Sequence, residues 1–395
     1  MKIALTYSSK NGLIQEFNEQ NKSGETPSED FFAEGDSMVT IHAVQQALTR
    51  LDQSVIGIEA DHDALTNLTA ARPDLVMNIA EGLTGDFRES YIPLLCERLG
   101  LPYTGSDPLT LGICLNKMRA KEILQSYQIA TPPFQVFRPH EPVETGHVIF
   151  PAIVKPVAEG SSKGIDNRSV VKDPTEARNV ISEKLLKYQQ PVIVESFLTG
   201  DEFTVALWGN GDAVEVLPIV SICFDQLPPG AWPMYSYEAK WIWDVPEKPL
   251  QIFHCPAKIS SQLKAEIESV AKRAYHILGV RDWCRIDVRL DAHGVPNIIE
   301  LNPLPGILPN PEDNSCFPKA ARTAGYSYVE MIGKLISIAS QRCGSVWGWF
   351  GGSGNAVNAG ANSGNRRLWT YCRQCRRQRR NGPLASGSTS PHRPA

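Results

Sequence analysis

Arg285-Ile286-Asp287-Val288 and Asn297-Ile298-Ile299-Glu300-Leu301-Asn302-Pro303 are two apolar, β-branched runs with polar groups set into them. Between them lies the turn sequence Asp291-Ala292-His293-Gly294, so the pair reads as a β-hairpin. Residues two apart on a strand share a face, and cross-strand neighbours sit roughly 5 Å apart, which lets Asp287, Glu300 and Asn302 converge. Hard oxygen donors in that arrangement suit Mg²⁺ (or Mn²⁺), which takes one or two carboxylates and completes its shell with water and substrate phosphate oxygens. Arg285 adds a permanent cation where those phosphates would lie. A surface hairpin with solvated acids would share this pattern, so the rest of the chain has to decide between the two.

The 395 residues suffice for two or three domains with real cores. Apolar residues make up 42% and charged residues 21%, the balance of an ordinary soluble protein. No apolar run approaches the roughly 20 residues of a membrane span, and the opening Met1-Lys2-Ile3-Ala4-Leu5-Thr6-Tyr7 is too short for a signal-peptide core, so a cytoplasmic protein is expected. Seven of the nine cysteines are scattered without metal or disulfide spacing and read as buried thiols. The net charge of −4 hides an asymmetry: the last acid is Glu330, and eight arginines follow Gly344. The body before Gly344 is therefore acidic, which argues against a nucleic-acid partner.

Residues 1–115 alternate short apolar strands (2–7, 55–58, 75–79) with amphipathic helices (37–51, 62–71), the pattern of a small parallel α/β layer whose post-strand loops carry any site. A further helix is expected at 88–99, closed by Gly100, then a short strand at 102–105. Across 116–207 the period changes to an α+β unit with a mostly antiparallel sheet: helices at 117–126 and 174–188, strands at 134–137, 152–156, 192–197 and 202–208. The region 208–343 holds further strands, the hairpin and two helices, the clearest at 260–278 with Leu263, Ile267, Val270, Ala274 and Ile277 on one stripe. From 344 to 395 the sequence turns Gly/Ser/Asn-rich and then basic (Arg376-Arg377-Gln378-Arg379-Arg380), and disorder is expected. Its Cys372-Arg373-Gln374-Cys375 has no second pair with which to build a zinc site.

Two further stretches carry chemistry. Ile153-Val154-Lys155-Pro156 delivers a lysine to a loop of small residues, Glu159-Gly160-Ser161-Ser162-Lys163-Gly164, whose N–H groups and hydroxyls can approach phosphate oxygens. It is not a P-loop, because the lysine precedes the loop. Lys117 opens a helix, and Val192-Ile193-Val194-Glu195-Ser196-Phe197-Leu198 is a buried strand ending in polar atoms, with Gly200-Asp201-Glu202 behind it. An adenine needs an apolar slot with backbone donors and acceptors, and a ribose needs a carboxylate, which suits Glu202.

This order of elements resembles that of the ATP-grasp enzymes, and more closely the D-alanine-D-alanine ligases, over most of residues 1–342. The likeness rests on Leu101-Pro102-Tyr103-Thr104-Gly105-Ser106, Asn116-Lys117, Val154-Lys155-Pro156, Glu159-Gly160-Ser161-Ser162, Gly200-Asp201-Glu202-Phe203-Thr204-Val205, Tyr237-Glu238-Ala239-Lys240, Arg285-Ile286-Asp287 and Glu300-Leu301-Asn302. It implies an ATP-grasp fold of α/β and α+β parts: an N-terminal parallel α/β domain (1–115), a central lid (116–207) and a C-terminal metal-binding subdomain (208–343). It also implies roles. Lys117, Lys155 and Lys240 would hold ATP phosphates with the Glu159, Gly160, Ser161 and Ser162 loop, Glu195 to Leu198 (Phe197 included) the adenine, and Glu202 the ribose. Asp287, Glu300 and Asn302 would bind Mg²⁺, Arg285 would stabilise the transferring phosphoryl group, and Ser161 would position the first substrate. The activity implied is ATP-driven joining of a carboxylate to an amine through an acylphosphate, for peptidoglycan. Its partners would be small amino acids and ATP, without nucleic acid or membrane, and a homodimer stays open.

Departures gather in the substrate half. After the first strand stands a long polar insertion before Ala33-Glu34-Gly35-Asp36, where either Glu34 or Asp36 would meet a substrate ammonium. The segment after the third strand is Asn78-Ile79-Ala80-Glu81-Gly82, followed by Arg88-Glu89. Pro303-Leu304-Pro305-Gly306-Ile307-Leu308-Pro309 replaces the Ser/Thr-rich run that in the ligases holds the second substrate's carboxylate. Glu34, Arg88 and Gly306 are thus the candidate substrate contacts. Trp241 stands where a tyrosine is expected, and indole donates one hydrogen bond but cannot accept one as a phenol can. Two alternatives remain: a ligase for another amino acid or dipeptide, and a nucleotide-binding regulator without turnover.

Overall fold

The computed structural model describes residues 1–350 apart from 22, 23, 25, 29 and 245–249. The basic segment with Cys372 and Cys375 lies outside the described residues.

The N-terminal layer comprises β1 (Lys2–Tyr7), α1 (Lys10–Gln20), α2 (Met38–Arg50), β2 (Ser54–Glu59), α3 (Ala64–Ala71), β3 (Leu75–Asn78) and α4 (Tyr91–Leu99). Its strands pair in parallel in the order β2-β1-β3. α5 (Pro108–Leu115) and α6 (Lys117–Ser126) lead to the lid, which comprises β4 (Phe134–Phe137), β5 (Ala152–Pro156), β6 (Val170–Val171), α7 (Pro174–Tyr188) and β7 (Val192–Ser196). The lid sheet is antiparallel, in the order β4-β7-β5-β6. A larger sheet, β11-β10-β8-β12-β13 with β9 beside β8, is built from β8 (Glu202–Trp208), β9 (Glu215–Val216), β10 (Val220–Ile222), β11 (Phe253–His254), β12 (Trp283–Leu290) and β13 (Pro296–Asn302). α8 (Ser261–Ile277) covers its back, and α9 (Cys316–Thr323) and α10 (Tyr328–Phe350) follow.

Strand alternation decides what each sheet offers the cleft. On β5 and β7, Ala152, Val154, Val192 and Val194 pack with Ala177 and Ile181 of α7, which leaves Ile153, Lys155, Ile193 and Glu195 on the opposite face. On β12, Cys284, Ile286 and Val288 share a core with Ile267, Ala271 and Ala274 of α8. Arg285, Asp287 and Arg289 therefore project the other way. Trp208 and Trp283 join Ile3, Leu5, Phe317 and Ile332 in one core, so the N-terminal layer is packed onto the large sheet. Asp282, fully buried, strengthens that junction by accepting from Gly105 N–H at 2.8 Å and from Arg342 at 3.0 Å.

The structure corrects several expectations. Residues 202–208, read as part of the central unit, belong to the large sheet: β8 pairs with β12 and β10, and Gly200 and Asp201 are bonded to Leu290 at 3.1 and 2.9 Å. Adjacency to β7 in sequence placed this strand in the central unit, but β12, far downstream, pairs with it instead. α1 and α5 were not anticipated. α1 buries only Leu13 and is too polar to show a stripe, whereas α5 is apolar all round and shows no period. The strand expected at 102–105 is a single bridge from Tyr103 to Val76, and the helix expected from 88 opens with a 3₁₀ turn at Arg88–Ser90. Among the described residues the third region has three α-helices, and α10 continues past 343 to Phe350. Helix propagation needs only local bonds, so a composition change does not stop it.

Candidate active site

β12 and β13 bring the expected cation ligands together. Asp287 faces Glu300 and Arg285 faces Asn302 across the ladder, with a bulge between Asp287 and Val288. Arg285 Nη2 donates to Asp287 Oδ2 at 3.0 Å and lies 3.5 Å from Glu300 Oε1. Asn302 Nδ2 donates to the same Glu300 oxygen at 3.2 Å, and Lys117 Nζ stands 3.4 Å from Oε2. Burial works to raise the Glu300 carboxyl, but Lys117, Arg285 and Lys155 outweigh it and hold the group well below the usual carboxylate range. Burial pushes Asp287 up to about 6 against the pull of Arg285. Among the described residues no group of three or more His, Cys, Asp or Glu side chains could hold a metal ion. Two carboxylates and an amide oxygen nonetheless fit Mg²⁺ that also binds phosphate oxygens, and Arg285 and Lys117 already supply balancing positive charge at those acids.

Across the cleft, Lys155 Nζ donates to Glu195 Oε2 at 2.9 Å, and Lys121 Nζ lies 3.3 Å from Oε1. Lys121 also donates to Thr131 Oγ1 at 2.8 Å, which donates to the Ile298 carbonyl of β13 at 2.8 Å. The Glu195 carboxylate, 1% exposed, thus sits between two lysines and ties the lid to the hairpin strand; it does not open toward a base. Phe197 is buried with Ile153, Val170 and Met234, and its ring meets Trp232 edge-on at 5.3 Å, an apolar cluster suited to a flat heterocycle. Leu198 is half-buried just beyond β7. Glu202, the candidate ribose partner, is held by Arg289 Nη1 at 2.9 Å, and that guanidinium also covers the Phe197 ring at 4.8 Å. Sequence reading missed Lys121 and Arg289. Lys121 sits one helical turn after Lys117, and Arg289 two positions after Asp287 on the same strand face, so periodicity alone could have found both.

The Gly/Ser loop is bonded to several segments. Glu159 accepts from Gln190 Nε2 at 2.7 Å and pairs with Lys163 at 3.0 Å, while its carbonyl accepts from the Lys117 ammonium. Ser161 and Ser162 are left-handed (φ +51° and +60°); Ser162 Oγ donates to the Tyr235 carbonyl at 2.8 Å, and Trp241 Nε1 donates to the Ser161 carbonyl at 3.3 Å. Lys240 is lowered by burial and by Arg285, against the pull of Glu81, Glu34 and Glu300.

Of the two candidate acids, Glu34 faces this loop. It accepts from Gly160 N–H at 2.9 Å and from Arg88 Nη2 at 2.9 and 2.8 Å on its two oxygens. Arg88 also donates to the Ala158 carbonyl at 2.9 Å. Asp36 instead accepts from Ser8 N–H at 3.1 Å, and burial pushes it up to about 7. Expected as an open acceptor for an ammonium, Glu34 therefore has both oxygens engaged. Glu81, close by, is raised well above its ordinary value by burial and by Glu34 and Glu89. Gly306 lies exposed in the loop after β13, its carbonyl accepting from Ser315 Oγ at 3.0 Å; that loop does not bring it to the Glu34–Arg88 pair through any contact seen among the described residues.

The sequence model of the D-ala D-ala ligase C-terminus family matches residues 123–337. An uncharacterised protein, y4sG, of Sinorhizobium fredii is 33% identical over 309 residues, spanning 76% of this chain and 87% of that protein. A D-alanine–D-alanine ligase of Cupriavidus pinatubonensis is 31% identical over 306 residues, 77% of this chain and 87% of its own. In three dimensions the chain resembles a D-alanine–D-alanine ligase of Bacillus anthracis solved with ATP, with a TM-score of 0.65 over 88% of this chain and 99% of that one. At 20% identity that likeness speaks for the fold.

Proposed function

The chain belongs to the D-alanine–D-alanine ligase family, and on that premise we propose that it is an ATP- and Mg²⁺-dependent, ADP-forming ligase that joins two D-alanines for peptidoglycan, in the cytoplasm. The observation that carries the reading is the convergence of Lys117 and Arg285 with Asp287, Glu300 and Asn302 at one end of the cleft, opposite Lys155.

In the proposed reaction a carboxylate oxygen attacks the γ-phosphorus, ADP leaves, and an acylphosphate forms. The amine nitrogen then attacks the acyl carbon, expelling phosphate and losing a proton. Mg²⁺ held by Asp287, Glu300 and Asn302 would neutralise charge on the phosphate oxygens. Arg285 stands beside these acids as a cation fixed by its strand, so it can meet negative charge developing in transfer without rearranging. Lys117 and Lys155 flank the same space, held by Glu300 and Glu195. The apolar cluster around Phe197 would take the base, and Arg289 sets the Glu202 carboxylate for the ribose. Loop 159–164, bonded to Tyr235 and Trp241, would keep water from the acylphosphate.

A second reading, a ligase for a different amino acid, is favoured by one feature: Arg88 occupies the acid that would take the first substrate's ammonium. An ADP-release screen over D- and L-amino acids, with product masses, tests both. Release with D-alanine and a dialanine product supports the first; a mass from another amino acid replaces it. Tight ATP binding with no amino-acid-dependent release would point to a regulator.

A further inference from the structure

Residues 30–36 end the polar insertion that follows α1, and they lie along the Gly/Ser loop. Glu34 grips one end, accepting from Gly160 N–H at 2.9 Å. Four positions earlier, Asp30 Oδ2 grips the other, accepting from Gly164 N–H at 3.1 Å and from the Tyr188 hydroxyl at the end of α7 at 2.8 Å. Lys184 Nζ donates to the Gly164 carbonyl at 2.7 Å, so both polar groups of that glycine are held by side chains. Gly164 has φ +73°, and a Cβ there would press on Pro156 and Tyr188, so no other residue fits the place. Between the two grips Lys163 sits 4.9 Å over the Phe31 ring, and Phe31 is anchored in turn by edge contacts with Phe17 and Phe32 at 5.0 Å each. Asp30 is 5% exposed, and its other oxygen lies 3.9 Å from Lys187 Nζ.

The loop is thus fastened on one side to Tyr235 and Trp241 and on the other to this strap. Carboxylates accepting backbone N–H groups make charge-assisted bonds, stronger than the water contacts they replace. We propose that Asp30, with Tyr188, is a positioning residue that latches loop 159–164 across the cleft, so that the acylphosphate meets the amine before it meets water. This rests on the ligase reading given above.

The test uses the full chain and counts ADP released against peptide product formed, the latter by mass. The unaltered chain is expected to form about one ADP per product; Asp30→Ala should raise that ratio roughly two-fold or more through hydrolysis of the intermediate. Asp30→Asn should keep the ratio near that of the unaltered chain, because the amide oxygen still accepts both bonds. A folded Asp30→Ala that stays fully coupled overturns the latch. Should that variant melt out, Tyr188→Phe decides, with a smaller rise expected and no rise counting against the proposal. If no amino acid elicits ADP release from the unaltered chain, the ligase reading fails, and the latch is then judged without turnover: hydrogen exchange across 160–164 should run roughly ten-fold faster in Asp30→Ala, or in Tyr188→Phe to a smaller degree, and unchanged exchange rejects it.

Discussion

On the hairpin of β12 and β13, Arg285, Asp287, Glu300 and Asn302 meet as direct cross-strand neighbours. At the Gly/Ser loop, Glu34 meets Arg88 from 54 positions away and Gly160 from 126. Arg285, Asp287 and Glu300 keep 19–25% of their side-chain surface exposed, whereas the Glu34–Arg88 pair is 4–5% exposed. One region is a ladder whose geometry follows from hydrogen-bond register; the other is an ion pair formed only when three segments pack. The first is therefore expected to fail through chemistry when altered, and the second through stability.

The largest effect is expected on the hairpin. Glu300→Gln removes the charge shared by Lys117 and Arg285, and ADP release should fall about 10²–10³-fold with an unchanged circular dichroism spectrum. Unaltered turnover would break the contrast at its stronger end. At the Gly/Ser loop, Arg88→Met strands a buried carboxylate and should lower stability in urea by about 3–5 kcal/mol, much of it recovered by adding Glu34→Gln. A neutral single variant would show that this half is not built on the pair.

Lys121 lies between the two regimes, buried yet one contact from Lys155. Lys121→Met should raise the KM for ATP roughly five-fold with less change in kcat. Burial pushes Lys121 down to about 8 from an ordinary 10.5, so between those values the unfolded chain binds the extra proton and stability rises with pH. Melting curves of Lys121→Met should lack that rise. The smallest effect is expected at Asp36, held near 7 by burial: its contribution is complete below about 3.8 and lost as pH rises toward 7. Asp36→Asn should flatten part of that loss, and the carboxyls that burial also raises, Glu89 to about 7 and Glu81, should keep contributing to it.

Much of the fold was legible beforehand. β1, β4, β5, β8, α6 and α7 occupy the expected residues, and Ser260 caps α8 by accepting from Leu263 N–H at 3.1 Å. The elements that escaped were those whose pattern is mute: a polar helix with one buried leucine and an apolar helix with no polar face. The indole of Trp241, read as able to donate one bond, makes it to Ser161. Asp30 and Tyr188 gave no signal, since each looks like any charged or aromatic surface residue until the strap is laid down.

The hairpin of 285–302 and the strand-then-loop at 152–164 could be read from the sequence, because the two-residue period of a strand and the closeness of ladder neighbours are local properties of the chain. Tertiary structure alone brought Glu34 rather than Asp36 to the Gly/Ser loop, turned Glu195 inward between Lys121 and Lys155, and moved residues 202–208 into the large sheet. Each of those outcomes depends on which distant group is close enough to satisfy a buried charge or an unpaired backbone edge, and chain order carries no measure of that distance.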